Sequence, residues 1–209
     1  MTSAAQTSEA ASAPVSPVAD DVELRRPTLV PPGLDTGALR AAFGAFPSGV
    51  VAVAAQVRGQ LVGIAASSFT SVSLEPPLVS FSVATTSQTW PALRDAGHLG
   101  VSVLADHHDA ICRQLAGPAE QRFSGLPFRS TGDGAVLLDE AVATFDCSIR
   151  HEVEAGDHVI VVLELHAVSD SGGSSPLVFH RSGFKKLSAD DLDQAKLSGR
   201  INGKPVDPV

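Results

Sequence analysis

The chain has 209 residues, 44% of them apolar, and a formal net charge of −8. With a mean hydropathy of +0.15 and a pI near 5.2, it can bury one sizeable core, and its acidity argues against nucleic acid or an anionic membrane as the main partner. Cys112 and Cys147 are too few to frame a secreted domain, so both are expected free and partly buried; no apolar run is long enough to span a membrane and no leader opens the chain, which makes cytoplasmic the default setting.

Residues 1–33 are Ala, Ser, Thr and Pro with scattered charge and no helical or strand period. They predict a flexible N-terminal arm, or a strap across a partner subunit. Asp35 or Thr36 caps a helix with Leu39, Ala42, Phe43 and Phe46 on one face, ended by Pro47-Ser48-Gly49. Val50 to Val57 reads as a strand apolar on both faces; Arg58-Gly59 turns it, and Gln60 to Ala66 returns beside it. The next stretch holds five hydroxyls within seven positions: Ser67, Ser68, Thr70, Ser71 and Ser73. Pro76-Pro77 closes it, because proline cannot donate within a central strand. Small residues admit a ligand close to the backbone, and hydroxyls bond it without adding charge. The same stretch also reads as a polar strand edge and exit loop.

Leu78 to Val83 is another strand. Ser87 or Thr89 opens a short helix with Pro91 in its first turn, and Gly97 stops it. After a strand over His98 to Leu104, Asp106 is read as the cap of a helix carrying Ile111 and Leu115, with Asp109 as its capping-box partner. Residues 117–139 read as loop. Ala141 to Val153 and Val159 to Val168 are two long strands joined by Glu154 to His158. Pro176 to His180 and Gly183 to Leu187 finish the body, and a helix from Ser188 runs to a stop at Gly199. Six or seven strands linked by hairpins and short helices, without βαβ alternation, predict a mainly β fold, an antiparallel barrel with helices appended. Gly-x-Gly-x-x-Gly, the P-loop, His-Glu-x-x-His and Cys-x-x-Cys are all missing from the sequence. His107-His108 is not read as a metal pair, since adjacent helical residues diverge and no third ligand is evident. Cys147, alternating with Phe145 and Ile149, is a core position, and Lys185-Lys186 a solvated end.

Five pieces, in order over residues 38–187, resemble the flavin reductase family with the FMN-binding split-barrel fold. They are Phe43 to Val50; Gly63 to Phe69 with Ser71-Val72-Ser73 and Pro76-Pro77; Ser87-Gln88-Thr89; Arg122-Phe123-Ser124-Gly125; and Gly156-Asp157-His158. The resemblance implies a split-barrel domain over 34–187, followed by a C-terminal helix and tail over 188–209. It implies an NAD(P)H:flavin oxidoreductase, usually a homodimer with flavin near the subunit interface, serving a separate flavin-dependent monooxygenase. FMN or FAD is then the acceptor, and NADH or NADPH the co-substrate. No basic pair suited to an adenosine 2′-phosphate is evident, which favours NADH.

Hydride transfer needs no side-chain acid or base, only nicotinamide C4 held against flavin N5. By the resemblance, Gly63, Ile64, Ala65 and Ala66 line the flavin ring, Ser67 and Ser68 bond its edge or the ribityl chain, and Ser73 belongs to the same signature. Ala84 and Thr85 flank the flavin, while Ser87 and Thr89 form a phosphate site at the helix start. Arg122 adds charge beside Phe123, and Gly156, Asp157 and His158 meet the nicotinamide, Asp157 fixing the tautomer of His158. The chain departs from the family pattern at Leu115, where many members carry Phe, and at Ser48, where they carry Thr; Phe184 matches a common aromatic. Two other readings stay open: a split barrel that keeps its flavin as a prosthetic group, as an oxidase or electron-transfer protein, and a binding module without turnover.

Overall fold

The structure, a computed structural model, describes residues 29, 32–33, 35–171 and 174–187. The chain divides into a unit ending at Asp35 and one beginning at Thr36, and every described strand and helix belongs to the second. Most of the expected N-terminal arm and all of the expected C-terminal helix lie outside the described residues.

In chain order the elements are α1 (Thr36–Phe43), β1 (Ser48–Gly49), β2 (Val51–Val57), β3 (Gln60–Ala66), β4 (Thr70–Leu74), β5 (Pro77–Ala84) and α2 (Trp90–Arg94). They continue with β6 (Leu99–Val103), α3 (Asp109–Leu115), β7 (Phe128–Ser130), β8 (Val136–Leu138), β9 (Ala143–Ala155), β10 (His158–Asp170), β11 (Val178–His180) and β12 (Gly183–Lys185). Seven strands form one antiparallel sheet in the order β3-β2-β6-β9-β10-β5-β4. A three-stranded sheet, β1-β11-β12, and the β7-β8 hairpin pack beside it. The large sheet curls until the exit of β3 meets β5, where Ser68 bonds Ser82, which gives a barrel open along one seam. The mainly β, split-barrel expectation holds.

β2 organises the core. Val51, Val53 and Ala55 belong to an inner cluster with Phe81, Leu99, Val101, Cys147, Val161 and Leu163. Val50 and Ala52 belong to an outer cluster with Leu104, Cys112, Leu115, Leu138 and Leu177. Successive strand side chains point to opposite faces, so a strand between two cores must be apolar at every position. That is why Val50 to Ala55 contains no polar residue. The β2–β3 turn places Arg58 and Gly59 at φ 51° and 80°, the two positive values that a two-residue turn of type I′ requires. Cys147 is fully buried, and burial pushes its thiol up to about 12; Cys112 is also buried and shifted up for the same reason. Both are free, as expected.

Four expectations need correction. Residues Thr70–Leu74 are an edge strand, not an exit loop, paired with β5 across the turn at Glu75-Pro76 with a register shift between Ser71 and Ser73. Pro77 opens β5, a position where the missing N–H costs little, so the proline pair turns one strand into the next. α3 starts at Asp109 with His108 as its N-cap and no side-chain cap bond. Asp106 instead spends its backbone N–H on the carbonyl of Ser175. The loop expected over 117–139 holds a 3-10 turn at Ala119–Gln121 and the β7-β8 hairpin, whose three-residue strands are too short to show a period. Finally, α1 ends at Phe43, so Phe46 falls outside the helix expected to carry it; none of the helix is buried, and Phe43 and Phe46 are 71% and 77% exposed.

Candidate functional site

The seam of the barrel forms the candidate site. Ile64, Ala65, Ala66, Ser67 and Ser68 make one wall of a cavity of about 380 Å³; Ser82, Val83, Ala84, Ser87 and His158 make the other. That volume is in the range of small-molecule clefts. Two neighbouring cavities share Ser67: an apolar one of about 290 Å³ reaching Cys112 and Phe184, and a groove of about 740 Å³ running past Ser68 to Phe43 and Phe46. Ser67 therefore stands at their junction, and its hydroxyl has no protein partner among the described residues.

Ser68 is placed differently. Its Oγ accepts the backbone N–H of Ser82 at 2.9 Å and donates to the carbonyl of Ser82 at 3.0 Å. One side chain thus makes the two bonds a neighbouring strand would make. It latches the cavity's two walls together. Ser82, which sequence reasoning missed, shares the alternating face of β5 with Ser80 and Ala84. That period-2 run of small residues was the available signal.

Gly63 lies outside this cavity. A Cβ there would fall 2.6 Å from Cζ of Phe123 and 3.1 Å from the carbonyl of Val53, so the missing side chain makes room for the Phe123 ring. Arg122 fixes the same loop. Its Nε donates to the carbonyl of Gly117 at 2.9 Å, and its Nη1 donates to the carbonyl of Gly63 at 2.9 Å and to Oγ1 of Thr89 at 2.7 Å. Nη2 has no protein acceptor among the described residues. Arg122, Thr89 and Ser87 are consequently brought together at the start of α2, where Ser87 Oγ accepts the N–H of Trp90 at 3.2 Å. Ser73 pairs opposite Leu78 on β4 and does not line the cavity.

Gly156, at φ 66°, makes the tight β9–β10 turn. Thr85 anchors that turn: its N–H and its hydroxyl both donate to the carbonyl of Asp157, at 2.9 and 3.1 Å. Asp157 in turn holds His158, with Nδ1 to Oδ1 at 2.7 Å. The bond to His158, with its charge, draws the Asp157 carboxyl below its ordinary pKa. An ionised carboxylate only accepts, so Nδ1 carries the proton and Nε2 is the nitrogen left for a ligand. The wall residues fit a flavin: Ala65, Ala66 and Ala84 leave room for a flat ring, and Ser67 offers an uncommitted hydroxyl; Ser87 on the wall, with Thr89 and Arg122 beyond it, offers donors for a phosphate.

At another place the reason given for discounting His107-His108 fails, because Glu140 approaches Nε2 of His107 to 3.2 Å and the three groups lie within 4.8 Å. His108, however, accepts the N–H of Ala105 on Nδ1 at 3.2 Å. That bond commits the neutral ring to a proton on Nε2, which leaves no lone pair there for a cation.

The antiparallel split barrel thus carries at its seam a cleft lined by small and hydroxyl side chains, with an Arg122–Thr89 donor pair at the start of α2 and an imidazole oriented by a carboxylate at the β9–β10 turn. The family profile described as "Flavin reductase like domain" matches residues 43–188. The chain is 38% identical to a flavin reductase of Pseudomonas putida over 162 residues, covering 77% of this chain and 95% of that one. It is 34% identical to an NADH:FMN oxidoreductase of Rhodococcus qingshengii, covering 73% and 82%. Among solved structures it is similar to the Streptomyces globisporus NADH:FAD oxidoreductase SgcE6 in complex with NAD and FAD fragments, with TM-score 0.73 and 32% identity over 78% of this chain and 99% of that one. The chain belongs to the flavin reductase family. No described helix is long and apolar enough to cross a membrane.

Proposed function

We infer that the protein catalyses NAD(P)H-dependent reduction of FMN or FAD and supplies reduced flavin to a separate monooxygenase. The observation that carries this reading is the seam cavity, walled on one side by Ile64 to Ser68 and on the other by Ser82 to Ala84, Ser87 and His158. Bound there, the nicotinamide supplies a hydride and the flavin accepts it. The chain's own residues only place the two rings. Ala65, Ala66 and Ala84 let a planar ring lie against backbone, and Ser67 donates to its edge. Ser87, Thr89 and Arg122 hold the flavin phosphate through charge-assisted bonds. His158, its tautomer set by Asp157, orients the nicotinamide carboxamide through Nε2, and no side chain has to move a proton.

The protein acts as a homodimer in the cytoplasm. Phe43 and Phe46, exposed on one side of the groove that reaches Ser67 and Ser68, are covered by a second copy, which walls the flavin site. NADH is the preferred donor. His158→Ala is expected to raise KM for the nicotinamide about tenfold, the worth of one hydrogen bond to a ligand in a confined site, with KM for flavin little changed; unchanged nicotinamide kinetics remove His158 from the site. The reading as a whole is tested by following NADH and NADPH oxidation by purified protein with and without added FMN or FAD. Turnover that depends on added flavin is the expected result. Turnover without it identifies a prosthetic flavin, and absence of turnover leaves a binding module.

A further inference from the structure

The fold brings together two arginines that lie 141 positions apart in the chain. Arg40, on α1, and Arg181, in the β11–β12 turn, line one pocket of about 340 Å³ with Ala41, Gly44 and Ser182. Arg181 is pinned there, because its backbone N–H donates to the carbonyl of Gly44 at 2.9 Å just past the end of α1. Arg181 and Ser182, at φ 48° and 60°, are the two central residues of the hairpin turn that presents it.

Charge makes the pair informative. Arg58, Arg94, Arg113, Arg129 and Arg150 each meet a carboxylate, and Arg122 is anchored through Nε and Nη1 to two carbonyls and a hydroxyl. Arg40 and Arg181 have no carboxylate within ion-pair distance among the described residues, in a chain of net charge −8 with acids to spare. Two cations sharing a pocket repel, and among the described residues no ion pair offsets that repulsion. The pocket also opens toward the chemistry. It shares Arg40, Gly44 and Ser182 with the 740 Å³ groove, whose other end is Ser67 and Ser68. The field of Arg40 reaches the turn below the nicotinamide, where it adds to the lowering of Asp157.

We propose that Arg40 and Arg181 bind a phosphate group of a nucleotide whose ring end lies in the seam cavity. The inference rests on the flavin reductase reading of that cavity. The phosphate has two sources, the dinucleotide substrate NAD(P)H or the adenosine half of FAD. FMN is too short to supply it, since its single phosphate is held by Ser87, Thr89 and Arg122. A basic pair for a second phosphate was not visible in the sequence, because no local spacing links residues 40 and 181.

The test uses the full chain and the variants Arg40→Ala, Arg181→Ala and the double variant, with Arg40→Lys to keep the charge. Inorganic pyrophosphate and ADP are titrated while thermal unfolding is followed. Both ligands are expected to raise Tm of the wild type, with the apparent Kd weakened roughly tenfold per arginine removed and partly restored in the lysine variant. Steady-state kinetics then separate the sources. A rise in KM for NADH or NADPH with FMN as acceptor assigns the phosphate to the dinucleotide, and a rise in KM for FAD alone assigns it to FAD. In either case KM for FMN stays unchanged. Equal pyrophosphate and ADP affinity in wild type and double variant overturns the proposal, as does a KM increase shared by FMN. A wild type that never turns over flavin fails the reading of the seam cavity instead, and the pyrophosphate titration still decides the arginine pair.

Discussion

Replacing Ser68 by alanine tests the latch across the barrel seam. The substitution removes two hydrogen bonds, those of Oγ with the N–H and the carbonyl of Ser82, at 2.9 and 3.0 Å. Each is worth about 1 kcal/mol net, and water reaches the half-buried Ser82 to replace part of that. The loss is therefore about 1–2 kcal/mol, which for a domain of this size lowers Tm by about 2–8 °C. Because the latch joins the walls formed by Ala65 to Ser68 and by Ser82 to Ala84, the same change widens the cavity, and flavin affinity should fall several-fold. Ser68→Thr keeps the hydroxyl and should restore both Tm and affinity. Thermal unfolding and a flavin titration of the three proteins measure this. A Ser68→Ala protein with unchanged Tm but weakened flavin binding would refute the reasoning, since it would make the hydroxyl a flavin ligand and not a strand substitute.

Gly63→Ala forces the Phe123 ring back by about 0.8 Å to reach ordinary contact at 3.4 Å; overpacking of this kind costs about 1–3 kcal/mol. In a Phe123→Ala background the cost should shrink by at least ~0.5 kcal/mol, and strict additivity in denaturant melts would show that Gly63 does not serve Phe123. Gly100→Ala is the harsher change, because a Cβ there would lie 2.0 Å from the backbone carbonyl of Val136. It drives β8 off β6 and strains the bond from Leu138 N–H to Ser102 Oγ at 3.0 Å. A loss of about 3 kcal/mol or more is expected, and a Tm within 2–3 °C of wild type would contradict it.

His108 sets a pH dependence. Burial holds its pKa below the ordinary value of 6.5, so the unfolded chain takes up a proton more readily than the native one. The stability it contributes is complete above about pH 6.5 and is lost as pH falls from there through the lowered native value. His108→Asn, which keeps an acceptor for the N–H of Ala105, should flatten Tm between pH 7 and pH 5, and an unaltered slope would point to other groups.

The barrel strands were legible because their signals are local. Val50 to Val57, Gln60 to Ala66 and the two long strands around Gly156-Asp157 announce themselves by apolar runs and by glycine turns. The cavity wall from Ile64 to Ser68 was legible for the same reason, a cluster of small and hydroxyl side chains within a few residues. The β7 and β8 strands were not, being three residues long and held by what they pack on. Thr70 to Leu74 was masked by its serines and by Pro76-Pro77, which local rules read as an end.

What each serine and glycine of the signature does was decided only by the fold. Composition makes Ser67 and Ser68 equivalent, yet one hydroxyl is uncommitted and the other is consumed by Ser82, fourteen positions later. Gly63 is small for the sake of Phe123, sixty positions away. Arg40 and Arg181 are unremarkable in sequence and become a charged pocket when α1 meets the β11–β12 turn. By itself the sequence determined the strands, their hairpins and the chemical type of the cleft, because backbone propensity and apolar periodicity act over a few residues. The partners of each polar side chain were left to tertiary structure, because hydrogen bonds and charges act between groups that only the closed barrel brings within reach.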